Sequence, residues 1–298
     1  MAGNALILEG GGFRGMFTSG VLDVLMEQGV YDFQSVWGVS AGAIAATSFK
    51  SRQIGRSMRI MLAFRDDKRF MSLWSFVKTG DIAGADFLYD EVQNELDPVD
   101  LQTFHANPLK MYAVATDVIL GQAAYLPVRH LPEDVAAVRA SSSLPPVSHL
   151  VEVGGRHCLD GGTADSVPFA AALGLPDAPA VEGHDPAFRA LVVLTQSRDY
   201  VKGQGPLSYE ALSLRSHRYD SFPYYLEALE TRADRYNAQR EELFALEARP
   251  DSPVLVLAPE KAVEVGVNGA SGAKLLDLYL QGREQATRKL DEIRAFLA

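Results

Sequence analysis

At the start of the chain, the spacing of apolar residues changes in turn between that of a strand and that of a helix. Residues 5–8 form a short apolar run that ends in an acid and three glycines, which predicts a buried strand. Apolar residues then recur at four-residue spacing over 17–25, which predicts a helix that a glycine ends. A second strand is predicted at 35–39, followed by a buried helix of small residues at 41–48. This order is typical of a parallel α/β sheet.

The rest of the chain continues without a repeat or an obvious linker. Further patterns predict strands at 111–116, 122–126, 190–196 and 253–258, a hairpin at 150–159 and a charged helical stretch at 219–248. Ser271 is placed to cap a helical tail that is expected to break near Gly282. We therefore predict one α/β domain over 1–298, with a largely parallel sheet flanked by helices. Its motif-bearing core covers about 5–170, and a helical, sheet-completing remainder covers 171–298.

Composition excludes some classes of partner. The chain has 298 residues, with 38 acidic and 28 basic side chains that give a net charge of −10. Because an acidic protein repels polyanions at long range, we expect neither nucleic acid nor an electrostatically anchored membrane as its main partner. Its one cysteine, Cys158, cannot form an internal disulfide and fits a reducing compartment. Without a basic leader or an apolar run of about 20 residues, the sequence predicts a cytoplasmic protein.

The pentapeptide Gly38-Val39-Ser40-Ala41-Gly42 lies between the second predicted strand and the helix after it. In this context a G-x-S-x-G motif pushes the serine Oγ out of the sheet, and the helix points its positive end at the serine. Glycines are needed on both sides because side chains there would collide with neighbouring backbone. A simple structural turn is the alternative, but the strand–turn–helix context favours Ser40 as a nucleophile.

Glycines also follow the first predicted strand, where the sequence from Gly10 reads Gly-Gly-Gly-Phe-Arg-Gly and ends at Gly15. Backbone N–H groups of Gly10, Gly11 and Gly12, at the start of a helix, can form a cradle for an anion. Acyl transfer creates a tetrahedral oxyanion, and a preformed N–H donor stabilises it by about 2.7–4 kcal/mol. Arg14 adds a positive charge nearby. The loop therefore predicts an oxyanion hole.

The same glycines also fit G-x-G-x-x-G, the dinucleotide fingerprint, which occurs in the same strand-then-helix setting. This alternative needs an acid about 20 residues further on, at the end of the second strand, to bind a ribose. Asp32 precedes the second strand, and that strand ends in Val39 and Ser40. A dinucleotide-binding Rossmann protein is therefore the less favoured interpretation.

A candidate base lies at the end of the predicted hairpin, in Asp160-Gly161-Gly162. An acid followed by two glycines is most often only a turn, but a serine nucleophile needs a base, so Asp160 becomes a candidate. In an ordinary hydrolase triad a histidine would follow the acid, and only His184 and His217 do so. Neither lies in a recognisable catalytic context. No two histidines share metal-ligand spacing, and we predict neither a metal nor a cofactor.

Together, the glycine-rich loop, the G-x-S-x-G elbow and the distal D-G-G resemble the motifs of the patatin-like phospholipases, most closely the short bacterial members. The three motifs occur in the same order and span over half of the chain, and residues 140–146 resemble a further segment of that family. The resemblance implies a patatin-like three-layer fold and a Ser–Asp dyad, with Ser40 as nucleophile and Asp160 as base. It places the oxyanion hole at the backbone of Gly11 and Gly12, with Arg14 nearby.

The chemistry of a dyad limits the reaction. A carboxylate with a pKa near 4 is a weak base towards a serine hydroxyl, so burial has to raise the pKa of Asp160 while the oxyanion is stabilised. Such a site favours esters and thioesters over amides. We therefore predict a hydrolase of lipid or phospholipid acyl esters that forms an acyl-enzyme. The main alternative is a non-catalytic lipid- or acyl-binding protein on the same fold.

The segment 58–77 mixes bulky apolar residues, among them Met71, Trp74 and Phe76, with arginine and lysine. Ordinary core packing accounts for such a density of apolar residues. The alternative is a mobile cap that covers the acyl pocket and makes transient contact with a membrane surface, with basic side chains extending to the aqueous side.

Overall fold

A computed structural model gives the structure of residues 3–70, 72–82, 84–203, 205–206, 208–266 and 270–298. The strands are β1 (Asn4–Leu8), β2 (Ser35–Val39), β3 (Lys110–Asp117), β4 (Gln122–Pro127), β5 (Val151–Val153), β6 (Arg156–Asp160), β7 (Arg189–Val193) and β8 (Val254–Leu257). Within these residues they form one sheet in the order β5-β6-β3-β2-β1-β7-β8, and β4 pairs with β3. The predicted strands therefore all belong to one sheet.

The centre of the sheet is parallel. β1 pairs with β2 and β7, β2 pairs with β3, and β7 pairs with β8, all in the parallel sense. β4 and β6 each pair antiparallel with β3, and β5 pairs antiparallel with β6. The predicted α/β class with a largely parallel sheet is confirmed.

Helices cover both faces of this sheet. Among the described residues, the α-helices are α1 (Gly15–Glu27), α2 (Ala41–Lys50), α3 (Arg56–Phe64), α4 (Leu73–Thr79), α5 (Leu101–Ala106), α6 (Val135–Ser141), α7 (Phe169–Leu173), α8 (Tyr209–Arg215), α9 (Pro223–Glu230), α10 (Arg232–Glu247), α11 (Gly272–Arg288) and α12 (Leu290–Leu297), and a π-helix spans Phe87–Leu96. Because side chains alternate along a strand, Leu6 and Leu8 of β1 enter one apolar core and Ala5 and Ile7 enter the other. Helices α1, α2 and α11 share the first core and α7 and α10 the second, which gives the expected three layers.

Helix α11, which precedes the last helix α12, packs directly on α1. Ser271 caps its start as predicted, but the predicted break near Gly282 is wrong, because the helix continues through this position. A Cβ on Gly282 would lie 2.2 Å from the carbonyl oxygen of Phe17, and one on Gly20 would lie 2.1 Å from that of Tyr279. Gly282 therefore serves close helix packing. The single domain over 1–298 stays a prediction.

Strand register brings the two predicted members of the dyad together. β2 follows one edge of β3 as far as the pair Val39–Val114. β4 pairs with the opposite edge of β3 over Tyr112–Asp117. β6 therefore pairs with the same edge of β3 as β2, but beyond the point where β2 ends. Its last residue, Asp160, pairs with Ala115. Since Val114 and Ala115 are adjacent, Ser40, which follows Val39, lies next to Asp160.

Candidate active site

Ser40 occupies a strained turn between β2 and α2. Its φ of 53° and ψ of −121° lie in a region that residues other than glycine rarely adopt. A Cβ on Gly38 would lie 2.5 Å from the backbone of Ala43, and a Cβ on Gly42 would lie 2.3 Å from the carbonyl oxygen of Leu8. Only glycine therefore allows β1, β2 and α2 to approach so closely at this elbow.

Ser141 holds the elbow in place, a role that sequence analysis missed. Its buried Oγ accepts a hydrogen bond from the Ser40 N–H at 2.9 Å and donates one to the carbonyl oxygen of Val114 at 2.6 Å. The signal was present, because Ser141 belongs to the family-like segment 140–146, but three successive serines there gave no reason to choose this one.

Asp160 is fixed through its backbone and one carboxylate oxygen. Its N–H donates to the carbonyl oxygen of Ser143 at 2.8 Å, and its own carbonyl oxygen accepts from Thr116 Oγ1 at 2.8 Å. Its Oδ1 accepts a hydrogen bond from the Gly162 N–H at 2.8 Å. A Cβ on Gly161 would lie 2.0 Å from a carbonyl oxygen of β3, so this chain segment lies directly against the sheet.

Burial raises the pKa of Asp160 above its ordinary value, while hydrogen bonds from the Ser40 hydroxyl and the Gly162 N–H act in the opposite direction. Its Oδ2 is buried and, among the described residues, has no partner at full hydrogen-bond geometry. The Ser40 hydroxyl is therefore close enough to lower the pKa of Asp160, but its contact with the carboxylate falls short of full hydrogen-bond geometry. A carboxylate that is poorly stabilised as an anion is a stronger proton acceptor than an exposed one.

The glycine-rich loop lies on the elbow. A Cβ on Gly10 would lie 2.9 Å from the carbonyl oxygen of Val39 and 3.0 Å from Ser40 Cβ, and one on Gly15 would lie 3.1 Å from Ala41 Cβ. Gly12 has a φ of 55°, which a glycine adopts without strain. The loop therefore depends on glycine for its contact with the serine and for its own conformation.

Thr195, just after β7, orients this loop and was also missed from the sequence. Its Oγ1 donates a hydrogen bond to the Gly10 carbonyl oxygen at 2.7 Å. Because C=O and N–H point in opposite directions across a trans peptide, this bond turns the Gly11 N–H away from Thr195. Among the described residues, the N–H groups of Gly10, Gly11 and Gly12 have no backbone acceptor. All three N–H groups are thus free to donate to a group bound beside Ser40.

Two cavities meet at Ser40. The first encloses about 780 Å³ of empty space, including its open mouth, and apolar side chains such as Ile60, Phe70 and Leu88 line most of it. The second encloses about 440 Å³ and is polar, with Asp160 and the glycine-rich loop in its wall. A bound ester can therefore place an apolar chain on one side of the serine and a polar group on the other.

Different parts of the segment 58–77 fit the two interpretations, core packing and a cap with an exposed apolar surface. Ile60 and Phe70 are buried in the wall of the apolar cavity, which fits core packing. On α4, by contrast, Trp74 is 46% exposed and Val77 is 74% exposed. Met71 lies outside the described residues. The wall and the exposed apolar face are thus consecutive parts of one segment.

No histidine lines either cavity at Ser40 in the described residues. His184 bonds to the carbonyl oxygen of Ala172 at 2.8 Å and packs edge-on against Trp37, and His217 is exposed beside Asp220. The described residues also contain no cluster of three His, Cys, Asp or Glu side chains able to hold a metal. The geometry thus offers Ser40 a carboxylate partner and no imidazole within the described part of the chain.

Several polar side chains of the second cavity come from the C-terminal half and were missed from the sequence. Lys202, Arg232 and Tyr236 line it together with Arg14 and Glu9. Their positions carry no motif, and only the folded chain brings them to the serine.

Comparison with known proteins identifies the motif-bearing part of the chain. The sequence model for the family "patatin-like phospholipase" matches residues 6–173, and a model for a domain of unknown function (DUF6363) matches residues 222–298. The uncharacterized protein YjjU of Escherichia coli (strain K12) is 30% identical over 169 residues, which are 55% of this chain and 46% of that protein.

An uncharacterized NTE family protein of Mycobacterium bovis (strain ATCC BAA-935 / AF2122/97), Mb1092c, is 30% identical over 171 residues, which are 57% of this chain and 46% of that protein. In each of these two relatives, the matched residues make up less than half of the protein's length. The solved structure of VipD from Legionella pneumophila aligns with a TM-score of 0.46 and 12% identity, over 98% of this chain and 67% of that chain. Since the family model covers more than half of the 298 residues, the chain belongs to the patatin-like phospholipase family.

Proposed function

We propose that this protein is a serine acyl hydrolase that cleaves lipid acyl esters through a dyad of Ser40 and Asp160. The observation that carries the proposal is the position of the serine: it lies beside a buried carboxylate, at the junction of an apolar and a polar cavity. Membership in a family of lipid ester hydrolases supports the same reaction class.

In the proposed first step, Asp160 accepts the proton of Ser40 as the serine Oγ attacks the ester carbonyl carbon. The negative charge that develops on the carbonyl oxygen is stabilised by the N–H groups of Gly11 and Gly12, with Arg14 adding positive charge. Protonated Asp160 then donates its proton to the leaving alkoxide, which leaves an acyl-enzyme. A water molecule, deprotonated by Asp160, hydrolyses this intermediate and restores the serine.

The two cavities define the proposed orientation of the substrate. The apolar cavity, with Ile60 and Phe70 in its wall, would hold the acyl chain, because burial of each CH₂ group is worth about 0.8 kcal/mol. The polar cavity would hold the alcohol half. This separation favours esters between a long apolar acid and a polar alcohol.

Two measurements test the proposal. The pure protein is incubated with acyl esters of graded chain length, and fatty-acid release is followed; in parallel, it is treated with a fluorophosphonate probe. We expect hydrolysis and labelling of Ser40, since only an activated serine reacts with the probe. Lipid binding without either signal would instead indicate a non-catalytic binding protein. Quenching of Trp37 or Trp74 by NAD without labelling would indicate a dinucleotide site.

Replacing Arg14 with alanine is expected to lower kcat by about 10²-fold and to change KM less, because Arg14 would act on charge that develops in the transition state. Steady-state kinetics with a soluble short-chain ester measure both constants. Arg129→Ala removes an exposed guanidinium from a separate surface cavity and serves as control. A change confined to KM would assign Arg14 to binding of the alcohol half.

The exposed apolar side chains of α4 support a second part of the proposal, transient contact with a lipid surface through the segment 58–77. Replacing both Trp74 and Val77 with serine is expected to lower the rate on vesicles about 10-fold relative to the rate on a soluble ester, since apolar contact with lipid is lost. Phe188, which is 70% exposed just before β7 and so at the opposite end of the parallel strands, offers the matched control Phe188→Ser. Equal losses on both substrates would contradict surface docking.

A cytoplasmic location also belongs to the proposal. Its support is the single cysteine, Cys158, which is buried and whose pKa burial raises to about 11, as for an inert thiol. Among the described residues, no helix combines the length and the apolar character needed to cross a bilayer.

A further inference from the structure

The polar cavity is placed to receive the alcohol half of an ester. It shares Gly12, Ser40 and Leu144 with the apolar cavity, so the two meet at the nucleophile. An ester with its carbonyl carbon at Ser40 Oγ and its acyl chain in the apolar cavity must direct its alcohol oxygen into the polar one. In the proposed reaction, side chains of this cavity would therefore contact the leaving group.

Two cations of this cavity have no ion-pair partner in the described part of the chain. Neither Arg14 nor Lys202 has a carboxylate within 4.0 Å there, and the buried Nε of Arg14 has no hydrogen-bond partner. Lys202 Nζ lies 4.4 Å from the centre of the Tyr236 ring. Partly buried cations without counterions are costly, so an anion that enters the cavity would remove an existing penalty.

The same burial affects the protonation of Lys202. Burial, together with the charges of Arg232 and Arg14, lowers the pKa of Lys202 to about 7, although Glu9 and Glu210 act in the opposite direction. An anion beside Nζ would favour the ammonium form and raise this pKa.

The carboxylates nearby are already engaged. Glu9 accepts hydrogen bonds from Tyr236 Oη at 2.5 Å and from the Thr195 N–H at 2.5 Å. Glu210 forms a buried salt bridge with Arg232. The cavity wall thus combines three cations, Arg14, Lys202 and Arg232, with Glu9 and the proposed base.

The polar cavity also has room to extend outwards. An adjoining surface groove of about 960 Å³, open solvent at its mouth included, shares Arg14, Lys202 and Arg232 with it, along with Tyr209 and Leu144. A group bonded to the anion can therefore continue into this groove while the anion stays between the cations.

From this arrangement we propose that the polar cavity is a subsite for an oxyanion, a phosphate or carboxylate, carried by the alcohol half of the substrate, with Lys202 as its specific cation. The inference rests on the proposed ester hydrolysis. It also assigns a role to the C-terminal part of the chain. Lys202 lies outside both matched regions, and Arg232 and Tyr236 belong to the matched domain of unknown function, which would complete the leaving-group side of the site.

The test compares 1-octanoylglycerol with 1-octanoylglycerol 3-phosphate, which differ only in the phosphate, at concentrations where both are monomeric. We expect kcat/KM of the native protein to be roughly 10- to 100-fold higher for the phosphate ester, in line with a buried hydrogen bond to a charged group. In Lys202→Met this ratio should fall by about 10-fold or more, and Lys202→Arg should retain most of it. Lys261→Met, in a separate surface cavity, is the matched control.

A second measurement does not depend on catalysis. Binding of glycerol 3-phosphate, with glycerol as the neutral comparison, is measured by calorimetry on Ser40→Ala and on Ser40→Ala with Lys202→Met. Glycerol 3-phosphate should bind more tightly than glycerol, and the Lys202 substitution should remove the difference. Equal rates on the two esters, or a preference that survives Lys202→Met in a folded protein, would overturn the subsite. Failure to hydrolyse either ester, with anion binding intact, would instead contradict the proposed reaction alone.

Discussion

Replacing Ser40 with alanine is expected to abolish ester hydrolysis, with kcat reduced by at least about 10³-fold, because the substitution removes the attacking oxygen and little else. The fold should persist. The turn that holds position 40 depends on Gly38 and Gly42 and on the hydrogen bond from the Ser40 N–H to Ser141 Oγ, and none of these uses the Ser40 side chain.

The measurement is fatty-acid release from a soluble ester, with thermal unfolding recorded on the same samples. Ser48→Ala, a buried serine on α2 whose hydroxyl accepts a hydrogen bond from Ser57, provides the control for loss of a buried hydroxyl. Retention of more than a few per cent of activity in a folded Ser40→Ala protein would rule out Ser40 as the nucleophile. Loss of fluorophosphonate labelling should accompany the loss of activity.

The features that sequence analysis predicted are those encoded by neighbouring residues. The elbow around Ser40 and the loop at Gly10 depend on glycines within a few positions of each other, where a side chain would collide with backbone. The approximate position of each strand likewise follows from a local apolar run, although the end of β7 lies at Val193 and not at the predicted residue 196. Local sequence therefore contained both the turn at the serine and the loop that contacts it.

The features that were missed depend on contacts between distant parts of the chain. Thr195 orients the glycine-rich loop from 185 positions away, and Lys202 and Arg232 reach the polar cavity from helices and loops without a motif. A lone threonine, lysine or arginine has no pattern that marks it. Thr195 and Lys202 come near the loop after β1 because they follow β7, which lies beside β1 in the sheet. Arg232 comes there because it begins α10, which packs on the sheet face that carries Ala5 and Ile7 of β1.

Gly282 is an example of the opposite error, in which the sequence pattern predicted a feature that the structure does not have. In a single sequence, a glycine inside a helical pattern indicates a weak point, because glycine disfavours the helix by about 1 kcal/mol. In the structure, the helix remains continuous and the missing side chain lets α11 contact the backbone of α1 near Phe17. The same residue has opposite meanings, depending on whether another helix crosses at that point.

Replacing Asp160 with asparagine is expected to reduce kcat nearly as much as Ser40→Ala, since asparagine keeps the shape of the side chain but cannot accept the serine proton. Asp165→Asn is the matched control. Asp165 is also a carboxylate whose pKa burial raises, but it bonds to Tyr125 and Gln239 and lines neither cavity at Ser40. A loss of activity in Asp160→Asn but not in Asp165→Asn identifies a chemical role rather than a structural one.

The pH dependence distinguishes a dyad from a triad. Because burial raises the pKa of Asp160, the acidic limb of kcat/KM should lie above the ordinary aspartate value of 3.8 and should be absent from any residual activity of Asp160→Asn. In a Ser–His–Asp triad, replacement of one histidine would be as damaging as Ser40→Ala, and the limb would follow an imidazole. Since no histidine lines the two cavities among the described residues, we expect replacement of His184 or His217 to leave the chemical step intact.

In Asp160→Asn, the stability of the fold should increase although the activity decreases. A carboxyl group whose pKa is higher in the folded state stabilises the fold below its unfolded pKa, and this contribution is lost as pH rises through the folded value. At neutral pH the buried Asp160 carboxylate therefore opposes folding, and Asp160→Asn is expected to raise Tm relative to the native protein. The difference should shrink as pH is lowered towards 4, because the native carboxyl then becomes protonated. A Tm that falls in Asp160→Asn at pH 7 would show that the charged carboxylate stabilises the fold, and would contradict its proposed role as a destabilised base.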